Sequence, residues 1–346
     1  MSEPPVLVRR EGALGRLTLN RPRSLNAIDH EMVRLLADAL DDFEHDDGVR
    51  AVAIDGAGER GLSAGGDVRF LVADAAEGGH AGAALLADEY RLDARIARYP
   101  KPYVALMDGV VMGGGVGVSA HGSVRVVTSR SVVAMPEVTI GYVPDVGGTW
   151  LLGHAPGELG VHAALTAARL GPADAVACGL ADLQVEDLPA LLTALRDGAD
   201  AMAAAEELAV DPGESALYAG RDWIDRCYAA PDLPGIREAL ARDPHPDAVA
   251  AAKALDRAAP LAATLTVRAV RDARGLPDLE DALRVEYLLT RCCVRWPDFT
   301  EGVRAVLVDR DGAPRWDPAT FEAVTGETEH RFLSLAHPDD PPLTFG

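Results

Sequence analysis

Aromatic side chains are scarce, making up only 5% of the 346 residues. The core must then be built chiefly from Ala, Val and Leu, within apolar and charged shares of 48% and 25% that are ordinary for a globular chain. Basic residues are also in deficit. Lys and Arg number 33 against 54 Asp and Glu, a formal net charge of −21. Non-specific binding to nucleic acid or to an anionic membrane needs a basic surface, so neither is expected as a partner. A small anionic ligand is still compatible, because a few local arginines and helix N-termini suffice to hold one.

Cysteine is sparse and unpatterned. Cys178 and Cys227 are isolated, and Cys292 and Cys293 are neighbours on an expected helix, where adjacent side chains point apart. No CxxC pair or Cys/His cluster has metal-ligand spacing, so reduced thiols and no metal are expected. The opening MSEPPVLVRREG has neither the apolar core of a signal peptide nor the Arg/Ser-rich character of a transit peptide. Nothing approaches the roughly 20 apolar residues of a membrane span. A soluble, cytoplasmic protein is the expectation.

What is present is an alternation of strands and helices. Val6–Arg10 and Leu14–Leu19 read as a hairpin, and Asp29 caps a helix with Met32, Leu35, Leu36, Ala39, Leu40 and Phe43 at helical spacing. Buried strands are expected at Val49–Ile54 and Pro102–Met107, with further strand at Val124–Thr128 and Ser131–Ala134. A helix is expected over Ala83–Arg98, stopping before Pro100. This alternation implies an α/β core. Beyond about residue 186 the pattern turns helical: Leu188–Leu208, then helix broken by Pro234, Pro244 and Pro246, then Leu261–Arg274 and Leu279–Arg295. The expected organisation is a core over 1–190 and a mainly helical region over 191–346 packed on it.

Two glycine clusters, Ser63–Asp67 (SAGGD) and Met112–Gly122 (MGGGVGVSAHG), each sit near a strand's end. Glycine lets a backbone approach a ligand closely with its N–H groups turned outward. Two such turns converging on one point would make an oxyanion hole. Two other readings are weaker. Gly115–Ala120 fits the dinucleotide fingerprint, but its helix is too short for a βαβ crossover before His121-Gly122 interrupts it. Gly117-x-Ser119-x-His121 lacks the second glycine of a nucleophile elbow.

After these loops comes AMPEVTIGYVPDVGGTW, which sets Glu137 and Asp145 in an apolar stretch, each just after a proline. Either acid could merely belong to a turn or cap a helix. Two carboxylates sharing an apolar pocket would instead raise one another's proton affinity, as general acid–base chemistry requires.

GAGERGLSAGGDV, ALMDGVVMGGGVGVSAHG and AMPEVTIGYVPDVGGTW, in this order, resemble the crotonase (enoyl-CoA hydratase/isomerase) superfamily, and LNRPRSLNAID fits its opening motif. The resemblance runs from about residue 6 to 190. It implies a core of repeated ββα turns, no cofactor, and an acyl-CoA thioester whose carbonyl oxygen sits between the N–H groups of Gly66 and Gly114. The fold's relatives often assemble as trimers or hexamers, which leaves a homo-oligomer open. Arg23 lies where a basic residue often meets a CoA phosphate, although solvated surface charge is as good a reading.

Hydratases of the superfamily carry a first catalytic Glu three residues after the oxyanion glycine, where this chain has Gly117. Their second Glu corresponds to Glu137. Glu137 with Asp145, and glycine at 117, instead resemble the 3-hydroxyisobutyryl-CoA hydrolase branch, which acts in valine breakdown. Asp88-Glu89-Tyr90 resembles that branch's segment in which the Glu is associated with substrate binding. Phe299–Asp309, followed by Pro314-Arg315-Trp316, resembles its C-terminal signature. The resemblance makes Glu137 the nucleophile or general base and Asp145 the residue that positions water or substrate and transfers protons. Glu89, Gly114, Glu137 and Asp145 would bind the substrate. A crotonase hydratase or isomerase, and a non-catalytic CoA-binding protein, are the competing expectations.

Overall fold

A computed structural model describes residues 3–345. The chain divides into two compact units. The first takes residues up to 66, 88–133 and 169–215; the second takes 67–87, 134–168 and 216 onward. Residue 190, where the sequence suggested a boundary, lies inside the first unit.

The first unit is built on a seven-stranded sheet. Strands β1 (Val6–Glu11) and β2 (Leu14–Leu19) form an antiparallel hairpin with Val6 opposite Leu19, turned at Gly12 with φ +62°. Helix α1 (His30–His45) follows, its first turn capped by the Asp29 carboxylate, which accepts from Met32 N–H at 2.9 Å. Strand β3 (Ala51–Gly56) returns parallel to β2. Helix α2 (Ala81–Ala97) contributes residues from Asp88 onward to this unit. Then come β4 (Tyr103–Met107), β5 (Val110–Met112), helix α3 (Gly114–Ala120), β6 (Val124–Val127), β7 (Val132–Ala134), β8 (Leu183–Val185) and β9 (Ala209–Val210).

The sheet order is β1-β2-β3-β4-β6-β8-β9, parallel from β2 to β8 with antiparallel edges. Central β4 is buried along its whole length, as a parallel strand covered on both faces must be, whereas edge β9 is exposed. The short strands β5 and β7 pair in a second sheet. The turn after β3 joins them through bridges Gly61↔Gly109 and Ser63↔Val111. Successive turns of strand, short strand and helix are thus stacked, and each glycine loop falls where a short strand ends. Leu14, Ala53, Val104 and Val126 form one core with Leu191 and Leu195 of helix Leu188–Arg196.

Two expectations from the sequence need revision. Leu188–Leu208 is not one helix, because Gly198 takes a left-handed φ of +87° and Asp200 caps a second helix, Ala201–Glu207. Pro234 and Pro246 stand in the first turns of Leu233–Arg242 and Pro246–Leu255, where a missing N–H costs nothing.

The second unit is mainly helical. Helix α4 (Gly148–Gly153) packs on helix Pro260–Ala273, and α5 (Leu279–Cys293) packs on both. Helix α6 (Pro297–Val303) runs into a π-helical turn, Arg304–Val308, and rests on the turn Glu137–Ile140. No helix among the described residues is long and apolar enough to cross a membrane.

Candidate active site

The two glycine turns meet inside the first unit. Ser63 N–H donates to Val110 C=O at 3.1 Å, and Met112 N–H donates to Ser63 C=O at 3.0 Å, so strand pairing delivers both turns to one place. The Ser63 hydroxyl accepts from Gly65 N–H at 3.1 Å and donates to Asn26 C=O at 2.9 Å, fixing the first turn. Gly65 and Gly113 adopt φ of +114° and +49°, which side chains rarely tolerate. A Cβ on Gly114 would lie 3.2 Å from Gly66 N and 2.7 Å from Glu89 Oε1. Gly114, Gly66 and the Glu89 carboxylate are therefore immediate neighbours, and a side chain at 114 would push on the Glu89 carboxylate and crowd the Gly66 amide. A Cβ on Gly66, by contrast, would meet nothing within 4 Å.

Glu89 is buried on α2, only 4% exposed. Its neighbour Asp88 faces outward and pairs with His30 at 2.8 Å and Arg91 at 2.7 Å. Arg23 is exposed on the turn Pro22–Ser24.

The acids gather in the second unit. Glu137 opens the turn Glu137–Ile140 and makes no side-chain cap there. It is 5% exposed, and its Oε2 has no hydrogen-bond partner. Burial, then the charge of Asp145, then that of Glu286 push its carboxyl well above the usual carboxylate range. Asp145 is 7% exposed. The N-cap position of α4 is Gly147, which has no side chain to offer its first turn.

That helix start is served by Glu286, which the sequence reading missed. Its carboxylate accepts from Gly147 N–H at 2.7 Å, from Thr149 N–H at 2.9 Å and from the Thr149 hydroxyl. Burial is the main cause that lifts it, to about 8, against those hydrogen bonds. One signal was available: Glu286 lies on the apolar stripe of α5 with Ala282, Leu283, Leu289 and Cys293, where a solvated acid does not belong.

The C-terminal signature acts on the Glu137 turn through backbone contact. A Cβ on Gly302 would lie 2.5 Å from the Ile140 backbone, and one on Gly141 would lie 2.6 Å from the Asp298 backbone. The Phe299 and Tyr142 rings pack with centroids 5.0 Å apart. Glu301 holds Arg304 at 2.8 and 2.9 Å and accepts from Arg315 N–H at 2.8 Å.

All four cysteines are buried and free. His80 comes from far away in the chain to His337 and Asp339, and the three bring one ligand atom each within 4.8 Å of one another. His80 Nδ1 is already bonded to buried Asp340, and His337 and Asp339 are exposed.

Stacked strand–strand–helix turns with glycine amides at their ends define the crotonase fold. The chain belongs to the enoyl-CoA hydratase/isomerase family, whose model matches residues 14–333. Among curated relatives, the mitochondrial 3-hydroxyisobutyryl-CoA hydrolase of Gallus gallus is 38% identical over 98% of this chain and 91% of its own length. That of Homo sapiens is 35% identical over 96% and 90%. Among solved structures, a carnitinyl-CoA dehydratase from Mycobacterium thermoresistibile is 46% identical, covers 99% of each chain and has a TM-score of 0.93. An enoyl-CoA hydratase from Rhodobacter sphaeroides is 40% identical, covers 95% and 97%, and has a TM-score of 0.88. The cytoplasmic expectation is corrected by these curated relatives, which are named as mitochondrial enzymes. A reading of the first residues for targeting character was too weak a basis for it.

Proposed function

We propose that the protein hydrolyses a short β-hydroxyacyl-CoA thioester, 3-hydroxyisobutyryl-CoA before others, to the free hydroxy acid and CoA. The observation that carries this reading is the buried Glu137 carboxylate, with one oxygen unpartnered and Asp145 raising its proton affinity. Curated relatives named 3-hydroxyisobutyryl-CoA hydrolase, aligned over nearly the whole chain, support the same reaction. It would place the protein in valine catabolism.

In the proposed mechanism the thioester oxygen lies against the N–H groups of Gly66 and Gly114, which act as the oxyanion hole. One such donor is worth about 10²–10³ in rate. The ionised Glu137 attacks the carbonyl to give an anhydride, or takes a proton from water that attacks instead. Either way the C–S bond breaks and Asp145 hands a proton to the departing thiolate; on the anhydride route a water then cleaves the anhydride, releasing the hydroxy acid and restoring Glu137. Glu89 helps hold the substrate. Water balances the reaction by itself, so no redox or metal cofactor is required of the chemistry. Label found on Glu137 after a single turnover in ¹⁸O-water supports the anhydride route, with water attacking the Glu137 carbonyl of the anhydride.

The names of the solved structures favour a second reading, hydration or dehydration of an enoyl-CoA. Gly117 speaks against it, because glycine cannot hold and activate water as a second carboxylate does. A panel of acyl-CoA thioesters decides. Free thiol from 3-hydroxyisobutyryl-CoA supports hydrolysis; loss of the enoyl absorbance of crotonyl-CoA without thiol supports the other reading.

A further inference from the structure

We infer that Glu286 is a positioning residue for the acid pair: from the buried face of α5 it grips the loop after Asp145 and holds that carboxylate at Glu137, as the third member of one carboxyl cluster. The kinetic part of this inference rests on the hydrolase reading; the geometric part does not.

Glu286 is 0% exposed, and burying a carboxylate is costly unless it is thoroughly hydrogen-bonded. Its bonds run to Gly147 and Thr149, which follow directly on Asp145 and Val146. Val146 and Gly147 both have positive φ, at +54° and +78°, and Gly147 brings no side chain to the helix start. A Ser, Thr or Asn on the loop would cap α4 with far less desolvation. The chain instead imports a carboxylate from α5, adding a negative group where two already stand.

Both charges that act on Glu137 are negative, those of Asp145 and Glu286, and Asp145 acts on Glu286 as well. The ionisable groups on the packed elements are engaged elsewhere or uncharged. Arg268 pairs with Glu329, Arg271 and Arg274 pair with Glu158, and His154 stacks on Trp150. Buried Cys293 keeps its proton, and Asp298 accepts from Asp317 N–H at 2.7 Å. With no cation among these neighbours to offset them, burial and mutual repulsion hold the Glu137 and Glu286 carboxyls above the usual carboxylate range.

The test uses the full-length Glu286→Gln variant and two readouts. Thiol release from 3-hydroxyisobutyryl-CoA should show kcat down by about tenfold or more, the scale of a misplaced reacting group, with KM within about twofold. Infrared titration of the Glu137 carboxyl, assigned by difference against Glu137→Gln and run without substrate, should show its midpoint moving to lower pH as a negative neighbour is lost. A folded variant with unchanged kcat and midpoint overturns the inference. So does a kcat loss without any movement of the midpoint, which marks a merely structural cap. If Glu286→Gln does not fold, Thr149→Val removes one donor to the same carboxylate. It should move both readouts the same way by less, and no movement overturns the inference. If wild-type protein releases no thiol, the hydrolase reading fails while the titration still judges Glu286.

Discussion

Gly302 and Ile140 touch backbone to backbone: a Cβ at 302 would stand 2.5 Å from the Cα, C and O of Ile140. Helix α6 can rest on the turn that begins with Glu137 only because residue 302 has no side chain. Gly302→Ala should therefore lower stability by about 1–3 kcal/mol, the range for overpacking a tight contact. It should also displace Glu137 and lower kcat. Thermal unfolding and thiol-release kinetics on the same preparation check both effects.

Gly66→Ala separates ligand space from folding. A Cβ there meets no atom within 4 Å, and φ at 66 is not in the left-handed region. The variant should unfold at the wild-type temperature, yet hydrolyse about tenfold or more slowly if its methyl group, beside an N–H that alanine retains, displaces the thioester oxygen from that amide. Unchanged kinetics would remove Gly66 from the site.

The pH profile carries a sign. Glu137 acts in its ionised form, and burial with Asp145 holds its proton well above the ordinary carboxylate range. Activity should then fall on acidification with a midpoint above the usual value of about 4.3. Asp145→Asn removes one negative neighbour, so the midpoint of its residual activity should move down. The measurement is kcat/KM against pH for both proteins.

Acid stability should depend on Glu301. Hydrogen bonds from Arg304 are the main cause that draws its carboxyl down to about 2, from an unfolded value near 4.5. A depressed pKa stabilises above the unfolded value, and that contribution is lost as pH falls from about 4.5 through about 2. Glu301→Gln should unfold at a lower temperature near neutral pH and show a flatter loss across that window. Unfolding curves at a series of pH values check it.

Much of the first unit was legible because its signals are local. The β1–β2 hairpin, the Asp29 cap of α1 and the all-apolar β4 each announce themselves over a few residues. The glycine loops were legible as loops, and their meeting followed only from the resemblance, since the pairing of Ser63 with Val110 and Met112 is a matter of topology. Glu286 was not found because its partners, Gly147 and Thr149, lie far away in the chain. The break at Gly198 was overlooked because Ala-rich sequence on both sides outweighed a glycine followed by the Asp200 cap. His80 and His337 were invisible to a search by spacing for the same reason as Glu286.

The central claim is that Glu137 drives hydrolysis of a β-hydroxyacyl-CoA thioester, and one assay tests it most directly. Purified wild-type protein and Glu137→Gln, matched for folding by circular dichroism, are given 3-hydroxyisobutyryl-CoA without added cofactor, and free thiol is followed. The account predicts steady release by the wild type and loss of at least about 100-fold in the variant. No thiol from the wild type, or equal release by the variant, would contradict it.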